Sequence, residues 1–166
     1  MTTVMTETQP YVPALQRIYA PLAPYAYSLI RFCVGAIIAY HGYPKVFAGG
    51  AAGLSGLLAG KMGLEPSLLW AWVVALVEFG GGIMVAIGLF TRLASFALVI
   101  EFLVIVFVVK WANGMIAFAP KAIQPGFAGM TAGGFEFEMI LGICNFAFLC
   151  GGAGRASIDR AIGKEF

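Results

Sequence analysis

The sequence predicts an all-α protein, an antiparallel bundle of four transmembrane helices with a glycine-rich interfacial segment after the first helix. Of its 166 residues, 61% are hydrophobic and 11% are charged, and the mean hydropathy is +0.92. A soluble domain carries about 25% charged residues, so this chain has too few charges to cover a surface in water. Four apolar segments also approach the length of about 20 residues that a helix needs to cross a bilayer.

The predicted spans cover residues 25–47, 66–91, 93–112 and 135–153, within a membrane domain of residues 25–154. Residues 1–24 are predicted to form a retained polar and proline-rich tail, because they lack the basic and short apolar regions of a cleaved signal peptide. Residues 155–166 form a short C-terminal tail. The stretch VFAGGAAGLSGLLAG is uncharged but short and rich in glycine, which favours an interfacial segment over a span.

The connections between the predicted spans differ in character. A polar turn, GLFTRLAS, joins the second and third spans into an antiparallel hairpin. Residues 113–134 are rich in glycine and proline, which predicts a loop with little regular structure. At the end of the first span, Pro44 is predicted to kink or end the helix, because proline removes one helical hydrogen bond.

Basic residues near the span ends predict the topology. The arginines outside the spans fall on one predicted side, together with a C-terminal lysine, and the remaining lysines fall on the other. The first set is Arg17, Arg92, Arg155, Arg160 and Lys164, and the second is Lys45, Lys61, Lys110 and Lys121. We therefore expect a multi-pass protein of the inner (plasma) membrane with both termini in the cytoplasm. Its partner is the lipid bilayer, and a net charge of +2 without a basic cluster predicts no nucleic-acid partner.

Several ionisable residues fall inside the predicted spans. The candidate site residues among them are Arg31, His41, Lys45, Glu78, Glu101 and Glu136. At 1.5 Å per residue, Glu78 and Glu101 lie about 18 and 14 Å from the ends of their spans, near the middle of the membrane. Rotation of about 100° per residue places Arg31, His41 and Lys45 in one cationic stripe on the first span. Such groups usually face the interior of a bundle, so the stripe is predicted to meet the carboxylates of the other spans.

Two interpretations of these charges remain open. They form either a buried ion-pair network that fixes the helix register or a site for a polar headgroup, a proton or a quinone. A metal or haem site is not predicted, because the chain has one histidine and no Glu-x-x-His spacing. Three cysteines without a Cys-x-x-Cys pair argue against a thiol–disulfide oxidoreductase.

Three segments, in order, resemble the DoxX family of small membrane proteins. They are RFCVGAIIAYHGYPKVF in the first span, VEFGGGIMVAIGLFTRLAS in the second span and its turn, and GGFEFEMILGICNFAFLCGGAGRASID in the last span. The resemblance extends from about residue 29 to residue 160. The residues that match the family pattern are Arg31, His41, Lys45, Glu78, Arg92, Glu136, Arg155 and Asp159, whereas Glu101 and Glu138 lie outside it.

The resemblance implies a four-helix bundle that serves as a membrane component of a redox system. One relative is a subunit of a thiosulfate:quinone oxidoreductase, and others associate with enzymes of oxidant defence. On this basis we expect a subunit of a quinone-linked oxidoreductase, with protein partners and with quinone as its ligand. His41 and Lys45 would orient a quinone carbonyl or an anionic substrate, and Glu78 would pair with them or relay a proton. The alternatives are a non-catalytic accessory subunit that anchors a larger complex, and a small-molecule or proton carrier.

Overall fold

A computed structural model describes residues 11–115 and 133–164, and within these ranges the chain is helical and contains no β-strand. The α-helices are α1 (Pro13–Phe47), α2 (Gly50–Leu57), α3 (Ser67–Leu76), α4 (Gly82–Ile87), α5 (Thr91–Val104), α6 (Glu136–Gly151) and α7 (Ile158–Ala161). Tighter or wider helical turns extend them: π-helical turns at Leu58–Met62, Val77–Gly81 and Ile105–Lys110, and a 3-10 turn at Trp111–Asn113. The start of the predicted N-terminal tail and most of the predicted 113–134 loop, with Lys121, lie outside the described residues.

Within the described residues, two helical stretches are long and apolar enough to cross a membrane, and they match the predicted second and third spans. They are Ser67–Ile87, with 21 residues and a mean hydropathy of 1.9, and Thr91–Asn113, with 23 residues and a mean hydropathy of 2.5. Helix α1 supplies a third span if its two parts, which meet at 47°, are taken together. Helix α6 has 16 residues, which is about 24 Å and less than the roughly 30 Å of a hydrocarbon core, so the fourth span remains a prediction.

The outer faces of these helices suit a lipid environment. Large apolar side chains such as Leu69, Phe96 and Phe107 are more than half exposed. A soluble monomer rarely exposes a continuous apolar surface of this kind. These faces and the spans together identify a multi-pass membrane protein in contact with the bilayer.

Helix α1 begins earlier than the predicted first span and ends at the same residue. It begins at Pro13 rather than Tyr25, and its bend lies between its two parts, Pro13–Ala23 and Tyr25–Phe47. At the other end it reaches Phe47, the predicted end of the span, three residues past Pro44. The helix ends where Gly49 adopts a φ of 74°, a left-handed conformation that glycine accepts without strain.

Glycines bring α1 into backbone contact with α4. A Cβ atom on Gly35 would lie 2.3 Å from the backbone nitrogen of Ala86, and one on Gly82 would lie 2.5 Å from that of Ala39. Small residues allow this approach where lipid supplies no hydrophobic drive between helices. Because Arg31 contacts Val85 while Lys45 contacts Glu78, the two helices run antiparallel.

Helices α5 and α6 also pack against each other in opposite directions. Arg92 at the start of α5 donates to the carbonyl of Leu149, with a distance of 3.0 Å, near the end of α6. Lys110 at the other end of the span pairs with Glu138 in the first turn of α6. The main core lies between α1, α4, α5 and α6 and includes Val34, Ile38, Val85, Leu98, Phe102, Leu141 and Phe148.

The glycine-rich segment after α1 is helical. Helix α2 packs on α3 through a small apolar cluster of Ala51, Leu58 and Ala71. The segment therefore covers the first turns of the second span. Its predicted position at the membrane interface remains a prediction.

Candidate functional site

Lys45 and Glu78 meet between α1 and the second span. The close approach at Gly42, where a Cβ atom would lie 2.4 Å from the backbone nitrogen of Phe79, sets this register. Three residues further along the same face of α1, the Lys45 ammonium donates to Oε1 of Glu78. Glu78 lies in the π-helical turn Val77–Gly81, and such turns inside α-helices occur frequently at functional sites.

Glu101 on α5 completes a charged cluster with this pair. Its side chain is 9% exposed, and neither carboxylate oxygen has a donor in the described part of the chain; the carboxyl groups of Glu101 and Glu78 are close enough to form a hydrogen bond when one of them holds a proton. It interacts electrostatically with both Glu78 and Lys45. Oε2 of Glu78 is likewise buried and has no partner among residues 11–115 and 133–164. Buried polar atoms are nearly always hydrogen-bonded, so three unpartnered carboxylate oxygens in one cluster require an explanation.

These three side chains line a cavity of about 420 Å³, which we call the central pocket. Its other lining residues are almost all apolar and come from three elements: Leu54, Leu57, Leu58, Met62 and Leu64 after α1; Trp70, Val73, Val74 and Val77 on the second span; and Ala97, Ile100, Val104, Ile105 and Val109 on the third. Small-molecule sites typically have this composition, with apolar walls and a few converging polar groups, and volumes of about 300–1,000 Å³.

His41 lies outside the central pocket. It is exposed, and its ring lies 5.9 Å from that of Phe137 at the start of α6. The physical reason is the packing at Gly42: the neighbouring residue, His41, is rotated by about 100° away from the helix face that meets the second span. The predicted contact of His41 with Lys45 and Glu78 is therefore absent from the described structure, although the contact between Lys45 and Glu78 is present.

Arg31 does not join the acidic residues of the spans either. It is 2% exposed, and it donates to the backbone carbonyls of Val85 and Ala156, at 2.8 and 2.5 Å. Fourteen residues separate it from Lys45, about 21 Å along the helix. The prediction of one cationic stripe facing the carboxylates is therefore wrong for Arg31, which ties α1 to the C-terminal segment.

Asp159 lies at the same end of the molecule and caps α5. Its carboxylate accepts hydrogen bonds from the backbone N–H groups of Phe90 and Thr91, at 2.7 and 3.0 Å. Its own N–H donates to the carbonyl of Gly88. Arg155 in this segment is exposed. Arg31, Asp159 and Arg92 therefore bind backbone groups in the described structure, which is a structural role.

The remaining predicted residue, Glu136, is half-buried in the first turn of α6, away from the central pocket. Its neighbour Glu138 pairs with Lys110 beside an apolar groove of about 450 Å³ between α5 and α6. This α5–α6 groove is lined by residues such as Phe102, Trp111, Phe135 and Phe146. It is as large as the central pocket, but among the described residues that line it Glu138 alone is ionisable.

The sequence alone missed the residues after α1 that wall the central pocket. Leu54, Leu58 and Met62 recur at spacings of four, which places them on one helix face. That spacing was a signal for an inward-facing helix, but it does not show which span the helix covers.

Within the described ranges, no three His, Cys, Asp or Glu side chains are grouped as metal ligands.

Comparison with known families gives a match over half of the chain. The model of the family described as DoxX matches residues 26–111, which include Arg31, His41, Lys45, Glu78 and Arg92. The match confirms the resemblance seen in the first two spans, and it ends before Glu136, Arg155 and Asp159. Comparisons with curated proteins and with solved structures found no match.

Proposed function

This chain belongs to the DoxX family, and we propose that it is a quinone-binding membrane subunit of a redox system. The observation that carries the proposal is the central pocket: about 420 Å³ of apolar space with Lys45, Glu78 and Glu101 on its lining. A quinone combines an apolar ring and tail with two polar carbonyl oxygens, so it needs such walls and a small number of polar groups.

The residues of the pocket fit a quinone headgroup. Lys45 has three N–H donors, of which Glu78 takes one, so the ammonium can also donate to a carbonyl oxygen. When bound, a quinone would supply a carrier of two electrons and two protons. Glu78 and Glu101 are adjacent carboxyl groups, and two such groups beside one ammonium can hold a proton between them. Lys45 would thus orient the headgroup while the carboxyl pair holds a proton close by.

The proposal extends to the whole membrane domain, residues 25–154. We propose that α6 is the fourth span, because it packs antiparallel to α5 along the span. Arg92 and the C-terminal segment with Arg155 lie at one end of the molecule, which supports a cytoplasmic location for that end and for both termini. Such a subunit belongs in the inner (plasma) membrane.

A non-catalytic accessory subunit is the second candidate, and one observation favours it. Lys45 and Glu78 bind each other directly, as in an ion pair that only fixes the register of α1. In this case the protein would anchor or stabilise a larger complex and bind no quinone. The central pocket favours the first candidate, because an ion pair that only fixes the helix register needs no cavity of about 420 Å³ beside it.

Filling the central pocket tests the proposal. Val74 lines the pocket and Leu76, two residues further along α3, is 57% exposed on the outer face. We expect the wild-type protein, purified in mild detergent from quinone-containing membranes, to retain extractable quinone. Val74→Trp should lower the retained quinone at least tenfold, whereas Leu76→Trp should retain it.

Mass spectrometry of proteins that copurify separates the two candidates. If the wild-type protein and both variants hold the same partners and none holds quinone, the accessory role is correct and the quinone proposal is wrong. Equal quinone in Val74→Trp and Leu76→Trp would also contradict the proposal, because the quinone would then lie outside the central pocket.

A further inference from the structure

The charges on the central pocket do not balance. Among its lining residues the ionisable side chains are Lys45, Glu78 and Glu101. Lys45 is bound to Glu78, and these two charges offset each other. Glu101 is then left with both carboxylate oxygens buried and with no donor in the described ranges.

Other charged groups on the neighbouring elements do not offset Glu101. Lys61, after α2, is exposed and donates to the carbonyl of Val109, and Lys110 pairs with Glu138 on α6. His41 on α1 is exposed beside Phe137. Glu136 and Cys144 on α6 are not among the residues that line the pocket. Within the part of the chain that the structure describes, the groups facing Glu101 are thus Lys45 and Glu78.

An isolated carboxylate in a membrane interior is too costly to persist without compensation. Two kinds of compensation are available: a proton on the carboxyl group, or a cation in the pocket beside it. The walls of the pocket select the kind of cation. Leucine, valine and methionine side chains line it, and a hydrated inorganic ion gains nothing from such walls. An organic cation buries its apolar body there, and Trp70, which also lines the pocket, is the type of side chain whose ring best attracts a cation.

We propose that the central pocket binds lipophilic organic monocations, with Glu101 as the counter-charge, in exchange for a proton. This inference uses the pocket of the proposed function but does not depend on quinone binding. It gives Glu101, which lies outside the pattern that resembles the DoxX family, a role of its own: the residue selects ligand charge. A neutral ligand leaves the proton on Glu101, whereas a cation displaces it.

Tetraphenylphosphonium is a suitable probe, and tetraphenylborate is its control, because it has nearly the same shape and the opposite charge. We expect the purified protein to bind the phosphonium and not the borate. The phosphonium affinity should rise about tenfold per pH unit over the range in which free Glu101 holds its proton. In weakly buffered solution, about one proton should be released for each cation bound, a result that needs no variant.

Two carboxylate variants test whether Glu101 is the residue responsible for phosphonium binding and its pH dependence. Glu101→Gln keeps the shape of the side chain but cannot ionise, so it should weaken phosphonium binding at least tenfold and abolish its pH dependence. Glu138→Gln removes a carboxylate from the α5–α6 groove and should leave both unchanged. Phosphonium binding that is independent of pH, binding without proton release, or equal binding of the borate would overturn the inference.

Quinone retention, measured on the same preparations, separates this inference from the proposed function. Quinone retention without phosphonium binding would refute the cation site alone. Phosphonium binding without quinone in the wild-type protein would refute the quinone proposal alone.

Discussion

Replacing Lys45 with methionine is expected to destabilise the folded protein by about 3–5 kcal/mol, because removing one partner of a buried ion pair leaves an uncompensated charge. Glu78 would then be buried without its cation, beside the carboxyl group of Glu101. Methionine keeps the length and the apolar stem of lysine, so packing changes little. The free energy of unfolding in mixed detergent micelles measures the effect.

Two further variants identify the cause. Glu78→Gln should cost less than Lys45→Met, because Glu101 lies close enough to replace Glu78 as the partner of the ammonium. The double variant Lys45→Met, Glu78→Gln should recover part of the stability, since the carboxylate left without its cation is gone. Lys61→Met is the matched control, because that lysine is exposed and donates only to a backbone carbonyl in the described structure. A Lys45→Met protein as stable as Lys61→Met would contradict a buried charged cluster.

Adding one methyl group at Gly82 is expected to destabilise the protein by about 2–3 kcal/mol. A Cβ atom there would lie 2.5 Å from the backbone nitrogen of Ala39 and 2.9 Å from the carbonyl oxygen of Gly35. Both are backbone atoms of α1, so the two helices must separate. Because a wider separation of α1 from the second span would also move Lys45 away from Glu78, Gly82→Ala should weaken ligand binding in the central pocket.

Gly80→Ala is the matched control, two residues earlier in the same span. A Cβ atom on Gly80 meets nothing within 4 Å. Alanine is the better helix former by about 1 kcal/mol, so Gly80→Ala should be neutral or slightly stabilising. Unfolding in mixed micelles should thus give opposite signs for the two substitutions. The same sign and size for both would mean that α1 and α4 are not in backbone contact.

The boundaries of the second and third spans could be predicted from the sequence. Hydropathy alone predicted spans at 66–91 and 93–112, and the helical stretches run over Ser67–Ile87 and Thr91–Asn113. The partnership of Lys45 with Glu78 also followed from the need to neutralise charges in a bundle. The length of an apolar segment determines the boundaries of a span, and the polarity of a side chain determines whether it needs a partner in the membrane. Both can be read from a single sequence.

The sequence did not predict which face of α1 packs against the second span. His41 and Lys45 are four residues apart and share one side of an isolated helix. In the folded protein Gly42 contacts Phe79, so Lys45 turns toward the second span and His41 turns toward α6. Arg31 likewise binds the carbonyl of Ala156, because the C-terminal segment folds back onto α1. Such contacts between distant parts of the chain leave no periodic signal in one sequence.

We propose that a quinone lies in the central pocket beside Lys45 and Glu101. Photoaffinity labelling with an azidoquinone in membranes tests this position most directly. Labelled peptides should come from the residues after α1 and from the inner faces of the second and third spans: Leu54, Leu58, Met62, Val74, Val77 and Ala97. Excess unlabelled quinone should suppress this labelling. Labelling confined to the α5–α6 groove, at residues such as Met139 and Phe146, or to the exposed face of α1 around His41, would contradict the claim.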